Sequence, residues 1–141
     1  MIYAVIDTNV WVSAMLTHHI QSATFKVMEA IFANRIIPLY NEEIIREYAE
    51  VLRRPKFGFS ESDVSHFLET LKQIGIHSQR ITSSEVFPDP KDIVFYEVAL
   101  SKDNTFLVTG NTKHFPKTPI VVTPAEMMEI LVAKSIWGDE E

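Results

Sequence analysis

Short apolar runs of strand length alternate along the chain with segments whose apolar positions recur every three or four residues. Residues 2–6 form the first run and end at Asp7, predicting a strand. Helical patterning follows over 9–16 and 21–34, and Ile36-Ile37-Pro38-Leu39 predicts a second strand. Asn41 is placed to cap a helix over 42–53, whose first turn Glu42 and Glu43 suit, and Pro55 comes just past its end. Ser60 is placed to cap a helix over 61–74 that stops at Gly75, and residues 76–81 predict a third strand. Asp89-Pro90 reads as the cap and first residue of a helix over 90–102. Residues 105–109 and 119–122 predict two more strands, Asp103-Asn104 a turn, and Thr123-Pro124 a last helix to about 134. The final residues, about 135–141, read as a loose tail.

Strands alternating with helices imply an α/β fold with a mainly parallel sheet covered on both faces. No internal repeat, low-complexity segment or linker interrupts the pattern, which predicts one domain over 1–141. Ligands of such folds bind outside the carboxyl ends of the strands, where strand order reverses. That rule selects Asp7-Thr8-Asn9 and Thr109-Gly110-Asn111.

Composition narrows the chemistry. There is no cysteine, so neither disulfides nor zinc–thiolate sites arise, and five histidines lack any HxxxH pair. Thirteen basic against nineteen acidic residues give a net charge of −6, which argues against a non-specific coater of DNA but not against a nuclease that offsets its acids with cations. The opening Met1-Ile2-Tyr3-Ala4-Val5-Ile6 reads as a strand rather than a signal peptide. No apolar run approaches the roughly 18–20 residues that span a bilayer, so a cytoplasmic protein without membrane contact is expected.

Each acid near the predicted strand ends has a structural reading beside a chemical one. Asp7 suits a helix N-cap as well as a metal ligand or phospho-acceptor. Glu47 lies at the border of the stripe formed by Ile44, Ile45, Tyr48, Val51 and Leu52, where it is either a surface ion-pair partner or an acid facing a pocket. Asp89 and Asp92 form a capping-box-like pair, yet the helix they open is apolar nearly all round. Its start would therefore point at the same edge as the strand ends. His114 reads as a loop histidine, and His18, His19, His66 and His77 as surface residues without companions.

With Asp7, Glu47, Asp92 and Asn111 side by side, the sequence resembles a PIN-domain protein, most closely the bacterial branch of VapC-like toxin components of toxin–antitoxin pairs. Four stretches carry the resemblance: "VIDTNVWVSAML" at 5–16, "NEEIIREYAEVLRRPKF" at 41–57, "DPKDIVFYEVAL" at 89–100 and "FLVTGNTKHFP" at 106–116. The resemblance implies a three-layer fold with a five-stranded sheet in the order 3-2-1-4-5. It also implies an acidic cluster of Asp7, Glu47 and Asp92 that binds Mg²⁺ or Mn²⁺. Many PIN domains carry a fourth acid after a Thr-Gly or Thr-Arg pair, and here that position is Asn111, read as a catalytic-site residue.

The activity implied is metal-dependent endonucleolytic cleavage of single-stranded RNA, with an antitoxin protein as partner and a homodimer as a further expectation. Mg²⁺ takes oxygen ligands and keeps several waters. An amide oxygen at Asn111 can still ligate a metal or orient a water, but it brings no charge. Thr8, Asn9 and Thr109 are the supporting polar groups expected around Asp7. Arg46, Arg53, Arg54, Lys56 and Lys113 are candidate contacts to RNA phosphates, each also readable as part of a solvated face.

Two other readings compete. A phosphatase with Asp7 as nucleophile would want a second acid two residues on, where this chain has Asn9. A non-catalytic PIN-like module that binds RNA or a protein would suit Asn111 and the net charge of −6, but three acids facing one pocket repel one another unless a cation or proton is present.

Overall fold

A computed structural model describes residues 1–137. The elements run β1 (Tyr3–Ile6), α1 (Thr8–Leu16), α2 (Ala23–Phe32), β2 (Ile37–Tyr40), α3 (Glu42–Leu52), α4 (Glu61–Ile74), β3 (Ile76–His77), α5 (Ile93–Ala99), β4 (Thr105–Val108), β5 (Val121–Val122) and α6 (Pro124–Trp137). Single 3-10 turns occupy Pro55–Phe57, Pro90–Asp92 and Thr112–His114.

The five strands pair in the order β3-β2-β1-β4-β5, every pair parallel. This is the order that the family resemblance implies. Successive residues of a strand face opposite sides of the sheet. Ala4, Val5 and Ile6 are all buried, as are Leu107 and Val108, so both faces of the central strands are covered. α5 lies against β1, β2 and β4, α4 against β2, and α6 against β4 and α2. Trp11 of α1 anchors the helices in one aromatic cluster, edge-on to Phe67 of α4 (4.8 Å) and to Tyr48 of α3 (6.3 Å). Among the described residues no helix is long and apolar enough to cross a membrane.

Local chemistry explains the helix starts. Ser22, Asn41 and Ser60 each accept a hydrogen bond from the backbone N–H three residues on, the N-cap geometry that satisfies an orphan donor. Asn104 takes a left-handed conformation (φ 62°) in the turn before β4. Gly75 ends α4 where a Cβ would come within 2.7 Å of the Pro38 carbonyl oxygen, so only glycine allows α4 to close onto β2 there.

Several boundaries depart from the sequence pattern. The third strand covers only Ile76–His77 rather than 76–81. After Ser78 N–H reaches the Tyr40 carbonyl, the chain leaves the sheet, and Ile81 N–H bonds to the Glu97 carbonyl instead. The helix expected over 90–102 begins as a 3-10 turn and is α-helical only over Ile93–Ala99. The fifth strand is limited to Val121–Val122, and the second is shifted to Ile37–Tyr40. α6 continues past 134 to Trp137, so the start of the expected tail is helical, and residues 138–141 lie outside the described ones.

Candidate active site at the carboxyl edge of the sheet

Asp7 follows the last residue of β1 and stands at the N-cap position of α1, but its side chain makes no capping bond. Its backbone is fixed by Asp7 N–H to the Val108 carbonyl (2.9 Å), across the β1–β4 ladder. Its carboxylate turns toward β4, where the buried Thr109 hydroxyl donates to Oδ2 at 2.8 Å. The Asn111 backbone N–H donates in turn to Thr109 Oγ1 at 3.0 Å. The two chain segments that the strand-end rule selects are thus joined through one hydroxyl.

Glu47 comes to the same edge from α3. The Thr8 hydroxyl donates to Glu47 Oε2 at 2.7 Å. The neighbouring Tyr48 is fully buried and its hydroxyl donates to the Ile6 carbonyl, at the very end of β1. These two bonds hold α3 against the exit of the first strand and decide the ambiguity of a border acid: Glu47 faces the site rather than a surface cation.

Asp92 ends the 3-10 turn that precedes α5. Asp89 does cap that turn, its Oδ1 accepting from Lys91 N–H at 3.0 Å. The capping-box pairing with Asp92 does not form. Asp92 donates its own N–H to the Asp89 carbonyl (3.1 Å), and its side chain makes no capping bond. Its Oδ2 is buried and has no hydrogen-bond partner. His114 Nδ1 lies 3.7 Å from this oxygen.

His114, a loop histidine by local pattern, has a place beside the acids. It sits on the Thr112–His114 turn, with Nε2 3.0 Å from the Asn111 side-chain nitrogen and Nδ1 facing Asp92. The three-residue spacing from Asn111 at a strand exit was the signal available for it. His77 is exposed as expected but has a companion: its Nε2 lies 2.8 Å from Glu42 and its ring meets Tyr40 edge-on.

Electrostatics link the groups. Burial raises the Asp7 carboxyl above its usual value near 3.8; the Thr109 hydrogen bond opposes the shift and the charge of Glu47 adds to it. Asp92 is pushed up to about 6, first by burial, then by the charges of Asp7, Asp89 and Glu47, with His114 opposing. Three acids from three separate elements therefore sense one another. Among the described residues, no group of three or more His, Cys, Asp or Glu side chains is placed to hold a metal ion.

The other polar candidates lie at varied places. Asn9 is exposed in the first turn of α1. Arg53 is engaged by Glu61 through two hydrogen bonds (2.7 and 2.9 Å), and Arg54 by Glu50 (3.0 Å). The Lys56 ammonium lies over the Phe57 ring. Arg46 is on α3 beside Glu47, and Lys113 is on the same turn as His114.

Residues 3–113 match the PIN domain family. The chain belongs to the PIN-domain family. No curated protein matches the chain. PIN domains are generally nucleases, and the placement of Asp7, Glu47 and Asp92 at the carboxyl edge of this PIN sheet accords with a nuclease role.

Proposed function

We propose that this PIN domain is a Mg²⁺- or Mn²⁺-dependent endoribonuclease that cleaves single-stranded RNA, acting as the toxin of a toxin–antitoxin pair. The observation that carries the reading is the buried Oδ2 of Asp92, which has no hydrogen-bond donor and faces the charges of Asp7 and Glu47. Such an oxygen calls for a cation or a proton.

Asp7, Glu47 and Asp92 are the residues that would hold the metal. Mg²⁺ is commonly held by one or two carboxylates together with waters and substrate phosphate oxygens, so the reading does not need all three acids to ligate at once. When bound, the ion supplies a lowered water pKa and stabilises charge on the phosphate. The protein's own contribution is orientation. Thr109 holds Asp7 Oδ2, leaving the remaining lone pairs of the carboxylate for the site, and Thr8 does the same for Glu47. Asn111 presents an amide next to His114, adding a polar group without adding to the repulsion among the acids.

The test is cleavage of a mixed single-stranded RNA pool with Mg²⁺ or Mn²⁺, beside EDTA and Asp7→Asn controls. Metal-dependent cleavage that disappears in the variant is the expected result. Absence of both cleavage and metal binding would overturn the reading and favour a non-catalytic binding module.

A further inference from the structure

Resting on the proposed ribonuclease reading, we infer that the cleft beside the site, walled by Lys113, Lys117, Pro119 and Val121, is the subsite that seats the RNA nucleotide flanking the scissile bond. The cleft measures 870 Å³, within the range of about 300–1,000 Å³ typical of ligand sites. It is lined by the segment that joins β4 to β5, by β5 itself and by Glu126 of α6. Thr109, which holds Asp7, donates its backbone N–H to the Val122 carbonyl on the cleft wall (2.9 Å), and Thr112 and Lys113 belong both to the cleft and to the turn that carries His114. The turn of Thr112–His114 is thus the link between the acids and the cleft.

Positive charge is available on this side. A protein of net charge −6 must meet the RNA backbone with local cations. Arg53, Arg54, Lys72 and Arg80 all pair with carboxylates, while Lys56 and Lys102 rest on aromatic rings. Lys113 and Lys117, like Lys26, Arg35, Arg46, Lys91 and Lys134, form no ion pair with a carboxylate among the described residues, and they are the two that line this cleft, so each can take a phosphate without first releasing an acid. The one acid on the wall, Glu126, is committed: its Oε1 accepts from Thr123 N–H at 2.8 Å in the cap of α6. Pro116, Pro119 and Val121 supply an apolar wall for a base or ribose, which carries little sequence selectivity.

The test uses the full chain carrying Asp7→Asn, titrated with a fluorescein-labelled single-stranded RNA over a range of salt. Adding Lys113→Glu and Lys117→Glu is expected to weaken binding tenfold or more and to reduce the salt slope by about 1.4, the value for two lost single-strand phosphate contacts. Lys26→Glu with Lys134→Glu, the same charge change outside the cleft, is expected to leave affinity nearly intact. In the active chain, with Asp7 intact, Lys117→Glu alone is expected to raise KM for cleavage with little change in kcat. Equal losses from both lysine pairs, or no loss from the cleft pair while the parent still binds RNA, would overturn the cleft and leave the nuclease standing. A parent chain that neither binds nor cleaves RNA would remove both readings.

Discussion

The Thr109 hydroxyl and the Asp7 carboxylate meet at 2.8 Å although 102 residues separate them, and that bond ties the exits of the two central strands together. Thr109→Val keeps the shape and deletes the donor. A buried carboxylate then loses a partner, and the expected cost is about 1–2 kcal/mol in urea unfolding without metal. The same bond opposes the upward shift of Asp7, so its loss should move the acidic limb of the pH–rate profile to higher pH. An unchanged limb would mean that Asp7 ionisation does not govern the rate.

Asp92 offers a pH-dependent test of the acidic cluster. Its folded-state value of about 6 lies above the ordinary 3.8, so between these values the folded chain holds a proton that the unfolded chain has released. The resulting penalty is fully present above about pH 6 and vanishes below about pH 4. Asp92→Asn should therefore stabilise the metal-free protein by about 1–2 kcal/mol at pH 7 and by nothing measurable near pH 3.5. Thermal unfolding at the two values gives the comparison. A gain that persists at low pH would point to something other than charge.

Asn111→Asp places a fourth acid at the strand exit. Tighter Mn²⁺ binding in calorimetry is expected, together with lower stability of the metal-free chain, since the new charge joins Asp7, Glu47 and Asp92. Equal affinity in both chains would show that position 111 stays outside the coordination sphere.

Arg80 bridges Glu43 of α3 and the buried Glu97 of α5, with distances of 2.9 and 2.7 Å. Glu97 also accepts from Ser83 N–H at 2.7 Å. Arg80→Ala leaves this carboxylate short of its cation, and a loss of about 2 kcal/mol is expected in chemical denaturation. Because α3 carries Glu47 and α5 follows Asp92, metal affinity should fall as well. Arg80→Lys, which cannot serve both acids in the same fork, should recover only part of each.

Sequence periodicity made much of this architecture legible. Asn41 and Ser60 cap as their positions predict, and the apolar β1 and β4 runs find each other in parallel register. The acids were harder. A side chain at an N-cap position is locally indistinguishable from a cap, and only the tertiary partner decides: Thr109 draws Asp7 away from that role, while Asp92 simply leaves it. The short β3 was hidden for a similar reason. The apolar character of Ile81 suits a strand, but Arg80 is drawn to Glu43 and Glu97, which pulls the backbone toward α5. His114 gained its place from a strand pairing that local pattern does not encode.

Pro38 lies within β2, an inner strand, where a missing N–H would ordinarily break a ladder. Ile37 N–H bonds to the Ile2 carbonyl on the β1 side, so the ring nitrogen of Pro38 faces the opposite side, toward β3. β3 is only two residues long and begins level with Leu39, which leaves the Pro38 end of that margin uncovered by a strand. A foreign strand approaching there meets no donor from Pro38 and, at Gly75, a carbonyl already hemmed in by α4. With β3 held to two residues, the sheet presents only a short open edge on this side, the form in which an edge strand offers least to a second chain.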